Sequence, residues 1–268
     1  VTRATHIDPL EARSGRLFWL FGWYLRFLFW RKFDAVRVSH SGEPPPSVTA
    51  GVSGPVIVYS NHPSWWDPTL YMLLAAIVFR RYASFGPMQA KALGKYAFFR
   101  KLGVFPIDPT TRAGAAEFLN VARRVLSSPN GMLWVTAEGA FVDPRVRPVS
   151  LRAGVAHLAR SVPNAVMVPL AIEYGFWNES HPGVFLRFGT PLPTGRHLDV
   201  SEWHARLERE LTAAMDGLAQ ETMTRDPALF RSLLRGAAGL GGIYDWYRRA
   251  RGLLRGTWFD TSHEGFRR

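Results

Sequence analysis

The 268-residue sequence contains no cysteine. That excludes disulfide scaffolds, thiolate nucleophiles, iron–sulfur clusters and cysteine-ligated zinc together. Lysine is also scarce, with 4 against 29 arginines, and the 21 acidic residues leave a net charge of +12. No run of 18 apolar residues occurs, so a polytopic membrane protein is not expected. The motifs G-x-S-x-G, G-x-x-x-x-G-K-[ST] and G-x-G-x-x-G are all missing, which removes the serine elbow, the P-loop and the dinucleotide fingerprint. The eight histidines are scattered with no H-E-x-x-H pair, and no metal centre is expected. Internal repeats and long low-complexity tracts are absent. What remains, 47% hydrophobic and 20% charged residues, is the composition of a globular chain long enough for one large domain or two small ones.

The charge is concentrated at the two ends. Residues 1–37 carry a net +4 and residues 231–268 a net +5, leaving +3 for the body between them. Basic ends on a nearly neutral body suit an anionic partner, either nucleic acid or anionic lipid, or serve solubility alone. The stretch Leu17–Trp30 holds fourteen residues, three of them Trp, with Arg26 its single charge. It is too short to span a bilayer unaided, and Arg31, Lys32 and Phe33 follow it where a signal peptide needs small residues. Aromatic residues with basic flanks suit a helix lying in the headgroup region; a buried core helix is the alternative. Towards the other end, Leu229, Phe230, Leu233, Leu234, Leu240, Ile243, Trp246 and Tyr247 recur every three or four residues among arginines. That spacing predicts a broken basic amphipathic segment, interrupted at Gly239–Gly242, on a lipid surface or against the domain.

Between the ends the pattern alternates. Strands are expected at Val56–Ser60, Arg81–Phe85, Val104–Ile107, Met132–Thr136, Ala165–Ile172 and Val184–Phe188. Helices are expected over Thr69–Phe79, Ala90–Leu102, Ala113–Leu126, Leu151–Ser161 and Glu202–Gln220, and a loop around Pro44–Pro46. The fold class is therefore α/β: a layered sheet of mostly parallel strands flanked by helices. In such sheets polar residues just past the C-terminal ends of strands are the usual site positions.

Directly after the first of these strands comes Ser60-Asn61-His62-Pro63-Ser64-Trp65-Trp66-Asp67-Pro68. An imidazole with a carboxylate on its far nitrogen is a general base of fixed tautomer. His62 would take a proton from an alcohol, Asp67 would orient the ring, and Asn61 and Ser64 beside them are expected to contact the substrate. The alternative is a structural loop in which Asp67 caps the next helix. Without a serine nucleophile, the base would activate a substrate hydroxyl directly.

These residues resemble the H-x4-D block of the glycerophosphate and lysophospholipid acyltransferases. Other blocks follow in that family's order. Gly103–Asp108 (GVFPID) is similar to the second block, Val135–Gly139 (VTAEG) to the third, and Val168–Ile172 (VPLAI) to the fourth. Ala90-Lys91-Ala92-Leu93 and Leu151–Ala156 fit the intervening segments, and the resemblance covers roughly residues 35–195. It implies His62 and Asp67 as catalytic residues, with Glu138 and Gly139 in the substrate site. It also implies an acyl thioester donor, acyl-CoA or acyl-carrier protein, and no tightly held cofactor. The expected acceptor is a lysophospholipid or glycerophosphate-type lipid, in phospholipid biosynthesis.

The chain departs from the pattern where the family carries arginines associated with the acceptor's phosphate. Pro109 follows the second block, and Ala140-Phe141 follow the third. Arg145 and Arg147, seven and nine residues past Glu138, and Arg112, four past Asp108, are the candidate replacements, because a guanidinium fork matches phosphate. If none serves, the acceptor is a non-phosphate lipid alcohol such as a glycolipid or carotenoid glycoside. The expected organisation is an N-terminal interfacial segment over 1–37, an acyltransferase domain over 38–228 and a basic segment over 229–268. The expected setting is the cytoplasmic face of a membrane, with anionic lipid as partner and no nucleic acid. A non-catalytic lipid-surface protein is the remaining class.

Overall fold

In the computed structural model, which describes residues 8–51 and 54–236, strands and helices alternate to build one mixed sheet covered on both faces. A short helix α1 (Pro9–Ala12) and the long α2 (Gly15–Lys32) lead into β1 (Ala35–Ser39), then a single turn, α3 (Pro46–Thr49). The body continues through β2 (Val56–Ser60), α4 (Asp67–Ile77), β3 (Ala83–Gln89), α5 (Ala90–Lys95), β4 (Val104–Ile107) and α6 (Arg112–Val125). It closes with β5 (Gly131–Thr136), α7 (Gly154–Ser161), β6 (Val166–Gly175), β7 (Gly183–Phe188), β8 (Leu192–Pro193), α8 (Val200–Thr224) and β9 (Phe230–Arg235).

The strand order is β4-β3-β5-β2-β6-β7-β1-β9, with β8 paired to the start of β6. From β4 to β6 every neighbour is parallel, while β7 runs antiparallel to β6 and β9 antiparallel to β1. The central strands are buried on both faces, as covered parallel sheets require. Along β2, Val56 and Val58 face α2 and α4, packing with Phe29, Leu70, Leu73 and Leu74. Ile57 and Tyr59 face the other way, towards Val121, Leu158, Leu207 and Leu211 of α6, α7 and α8.

The helix expected over 90–102 is broken. Tyr96 leaves helical backbone angles, and Ala97–Leu102 forms a separate 3-10 turn. Larger differences lie at the ends. The amphipathic spacing around Leu229–Leu234 does not form a helix: Phe230–Arg235 is the edge strand β9, whose pairing with β1 outweighs its local periodicity. The remainder of the expected basic segment, 237–268, lies outside the described residues.

Helix α2 forms where the aromatic run predicts a helix. Ser14 caps it by accepting the Leu17 N–H at 3.3 Å, and Phe18, Gly22, Leu25 and Phe29 make its buried stripe. Gly22 lets α2 sit close on α4: a Cβ there would stand 2.8 Å from the Cβ of Ala76. The opposite face is apolar too. Trp19, Leu20, Trp23, Tyr24, Phe27 and Trp30 are between 47% and 62% exposed. No helix of the described residues is long and apolar enough to cross a membrane.

Candidate active site

The loops after β2 and β5 leave adjacent parallel strands for opposite faces of the sheet, the first into α4 and the second towards α7. Such divergence opens a crevice beyond the strand ends. His62 and Glu138 stand in it. His62 Nδ1 lies 2.6 Å from Asp67 Oδ2, in the geometry of an Nδ1–H donor to a carboxylate. That tautomer leaves the Nε2 lone pair free, and Nε2 makes no hydrogen bond among the described residues.

Asp67 is fully buried at the start of α4 and owes its placement to the local sequence. Pro68 occupies the first helical turn, where its missing N–H costs nothing. The Asp67 carboxylate accepts the Ser64 N–H on Oδ2 at 3.1 Å and the Tyr174 hydroxyl on Oδ1 at 2.8 Å. Asp67 is thus both a first-turn helix residue and the partner of His62.

The rest of the loop is held from two sides. Asn61 is buried, and its amide pairs with both backbone groups of Ile172 on β6, each at 2.9 Å. These two bonds make Asn61 a clamp between the His62 loop and β6. Ser64 Oγ accepts the Trp66 N–H at 3.2 Å, closing the turn that carries Trp65 outwards. From the other loop, Glu138 Oε2 accepts the His62 N–H at 2.7 Å, and the Val142 N–H donates to the His62 carbonyl at 3.1 Å. Burial pushes the Glu138 carboxyl above its ordinary range, against the lowering effects of the His62 N–H bond, His62 and Arg147. Gly139 takes φ +70°, and the Arg152 side chain lies where a Cβ would project, so the residue must be glycine.

The three candidate phosphate arginines are placed differently from one another. Arg145 forms a two-pronged bond to Asp143 on its own loop, with its Nε and Nη2 at 2.9 and 2.7 Å. Arg147 reaches Asp216 on α8 at 2.8 Å and two carbonyls of its own loop. Arg112 is exposed at the head of α6 and makes no ion pair among the described residues. Both arginines after the Glu138 block therefore already hold a carboxylate, which their sequence positions alone do not reveal.

Three further side chains stand at the crevice. The Phe141 ring, 63% exposed, has its centroid 4.3 Å from that of the His62 ring. Arg152 lies against Gly139, and its own N–H donates to the Ala137 carbonyl. Tyr174 carries the second bond to Asp67. Phe141 is visible in the sequence as the residue that interrupts the third block, Arg152 falls in the Leu151–Ala156 segment without being singled out by it, and Tyr174 carries no local signal.

A buried aspartate fixing an imidazole at a strand end, with a glutamate from the neighbouring loop behind it, matches the residues of the H-x4-D and E-G blocks. The acyltransferase family model matches residues 36–173, about half of the chain. The chain belongs to the acyltransferase family. No curated protein sequence matches it. The acyltransferase match runs from β1 into β6, ending at residue 173, and so contains His62, Asp67 and Glu138.

Proposed function

We propose that this acyltransferase moves a fatty acyl group from a thioester, acyl-CoA or acyl-carrier protein, to the hydroxyl of a lysophospholipid or glycerophosphate-type lipid. The observation that carries the reading is the free Nε2 of a histidine whose Nδ1 is held by a buried carboxylate at 2.6 Å. Nε2 takes the proton of the acceptor hydroxyl as its oxygen attacks the thioester carbonyl. Asp67 stabilises the imidazolium so formed. The tetrahedral adduct then collapses, the C–S bond breaks, and the imidazolium returns the proton to the thiolate, leaving an ester and a thiol.

A second reading, transfer to a lipid alcohol without a phosphate, is favoured by Phe141. An apolar ring lies tilted against His62 where the resemblance leads one to expect a cation, and Arg145 and Arg147 are already paired. The two readings separate in one assay. The purified chain is incubated in detergent with labelled acyl thioesters and a panel of phosphate-bearing and uncharged lipid alcohols, and products are identified by mass spectrometry. Esters of lysophosphatidate support the first reading, and esters of uncharged alcohols alone support the second. No ester from any acceptor overturns both.

The same reading places the enzyme on an anionic lipid surface, through the outer face of α2. That face is aromatic, and Tyr96 and Phe98 extend it, with Phe98 packed 5.7 Å from Phe21. Exposed Arg16, Arg31 and Lys32 border it, with no acidic residue between Ser14 and Phe33. A second copy of the chain would bring like charges together there. Trp66 links the face to the crevice, packing edge-on to Phe29 and Phe33 beside exposed Trp65.

A further inference from the structure

The Asp67 carboxylate has two oxygens, and the reaction above uses one of them. Oδ2 meets His62, while Oδ1 accepts the hydroxyl of Tyr174 at 2.8 Å. We infer that Tyr174 is a positioning residue for acyl transfer: its phenol fixes the plane of the Asp67 carboxylate and draws off part of its charge, setting how strongly Asp67 holds the protonated imidazole. The inference rests on the reading of His62 as the base.

The fold delivers this hydroxyl deliberately. Asn61 binds both backbone groups of Ile172, so the end of β6 is fixed to the same loop that bears His62. Tyr174 lies two residues further along, on the same face as Ile172, which is the face covered by α4. Its ring packs beside Phe33, with centroids 5.9 Å apart. Packing alone would accept phenylalanine here; the hydroxyl answers a buried carboxylate oxygen. Burial, then the charge of Asp67, raises the Tyr174 phenol well above its ordinary value, so it remains a donor throughout the working range.

Four ionisable groups bear on Asp67. They are His62 on its own loop, Tyr71 of α4 (whose hydroxyl pairs with Ser60 Oγ), Glu138 from the loop after β5, and Tyr174. No arginine or lysine ion-pairs with Asp67 among the described residues. The only cation it stabilises directly is therefore the imidazolium. Removing the Tyr174 hydroxyl concentrates the carboxylate charge towards His62. The protonated base then persists to higher pH, and the ring also loses its fixed orientation.

The test compares Tyr174→Phe with the parent 268-residue chain in detergent, using palmitoyl-CoA as donor and an acceptor identified by the panel. The expected result is a kcat lower by about 10–100-fold, the usual effect of losing a group that orients a reacting one. KM for palmitoyl-CoA stays unchanged, and the acidic limb of the pH–rate profile moves to higher pH. In the Asp67→Asn background the same substitution adds no further loss. Parent-like kcat with an unmoved limb overturns the inference, as does a raised KM at constant kcat, or losses that add in the double variant.

Two measurements keep the question open to refutation if Tyr174→Phe folds poorly. A ring-fluorinated tyrosine at 174 keeps the shape and donates more strongly, so it should move the acidic limb to lower pH; an unmoved limb overturns the proposal. The downfield proton resonance of His62 Nδ1 should change in either variant, and an unchanged resonance overturns it without recourse to turnover. His62→Ala with parent turnover would instead overturn the reading of the base, which these spectra do not depend on.

Discussion

Helices α2 and α8 cover opposite faces of the sheet, and they treat their outer surfaces in opposite ways. α8 buries Trp203, Leu207, Leu211, Met215 and Leu218 along one stripe and turns Ser201, Glu202, Arg209 and Asp216 outwards. A capping box of Asp199 and Glu202 starts it. α2 buries a comparable stripe and turns aromatic side chains outwards as well. A helix apolar all round belongs in a core or against lipid. The side of the sheet that carries the unfinished surface also carries Asp67, Tyr71 and Tyr174, so chemistry and exposed aromatics share one face.

The largest expected effect is on the chemistry of that face. His62→Ala should lower turnover by about 10²–10⁴-fold, the usual contribution of a positioned base, with the circular dichroism spectrum retained. Asp67→Asn should lower turnover while acyl-donor binding persists. Loss of donor binding at an intact intrinsic rate would assign Asp67 to capping α4 alone.

The contrast between the outer surfaces comes next. Replacing Trp19, Trp23 and Trp30 together with Ser should weaken binding to anionic vesicles by about tenfold for every ~60 Å² of apolar surface withdrawn. High salt should weaken the parent's binding only in part, since aromatic insertion is not screened. Sedimentation with vesicles measures both. Parent-like binding by the triple variant would put lipid contact elsewhere or nowhere.

The buried stripes should behave alike. Leu70→Ala on α4 and Leu211→Ala on α8, both fully buried, should each cost about 2–5 kcal/mol in urea unfolding. A much smaller loss on the α4 side would mean that face is loosely packed without lipid.

Glu138→Gln gives a pH-dependent effect. Burial raises the folded-state carboxyl, so its contribution to stability is complete below the unfolded value and is lost as pH rises through the folded one. The amide keeps an acceptor for the His62 N–H and removes the ionisation. The variant should therefore gain stability relative to the parent above the ordinary carboxylate range and converge with it in acid. Urea midpoints across pH would show a flat difference if Glu138 did not titrate this way.

The smallest effect belongs to the polar side: Arg209→Ala, exposed on α8, should change stability by less than ~0.5 kcal/mol and leave vesicle binding alone.

Much of this contrast was legible in the residues. The strands β2, β4 and β5 and the helices α6 and α8 stand within a few residues of their expected positions, because short apolar runs and helical apolar spacing are both local signals. His62 and Asp67 were legible because the turn that joins them is also local. β1 and β9 were not. Each is five or six residues with no turn signature of its own, and each is a strand through distant partners: β9 pairs with β1 across some 195 positions of sequence, and β1 pairs with β7 as well. Tyr174 and Asn61 fall under the same reason: their roles are defined by partners 107 and 111 residues away. The arginines show the converse, since proximity to Glu138 in sequence does not disclose that Asp143 and Asp216 hold them.

Gly22 gives the comparison a mechanical side. With Ala76 in contact where a larger residue would begin, α2 has no slack against α4, and α4 begins at Asp67. A displacement of α2 would therefore press directly on α4, whose first residue is Asp67. A lipid surface that took up the outer aromatics, as proposed, would thereby also position the turn that carries His62. A bulkier residue at position 22 would force α2 and α4 apart, and the strain would reach the turn that carries His62.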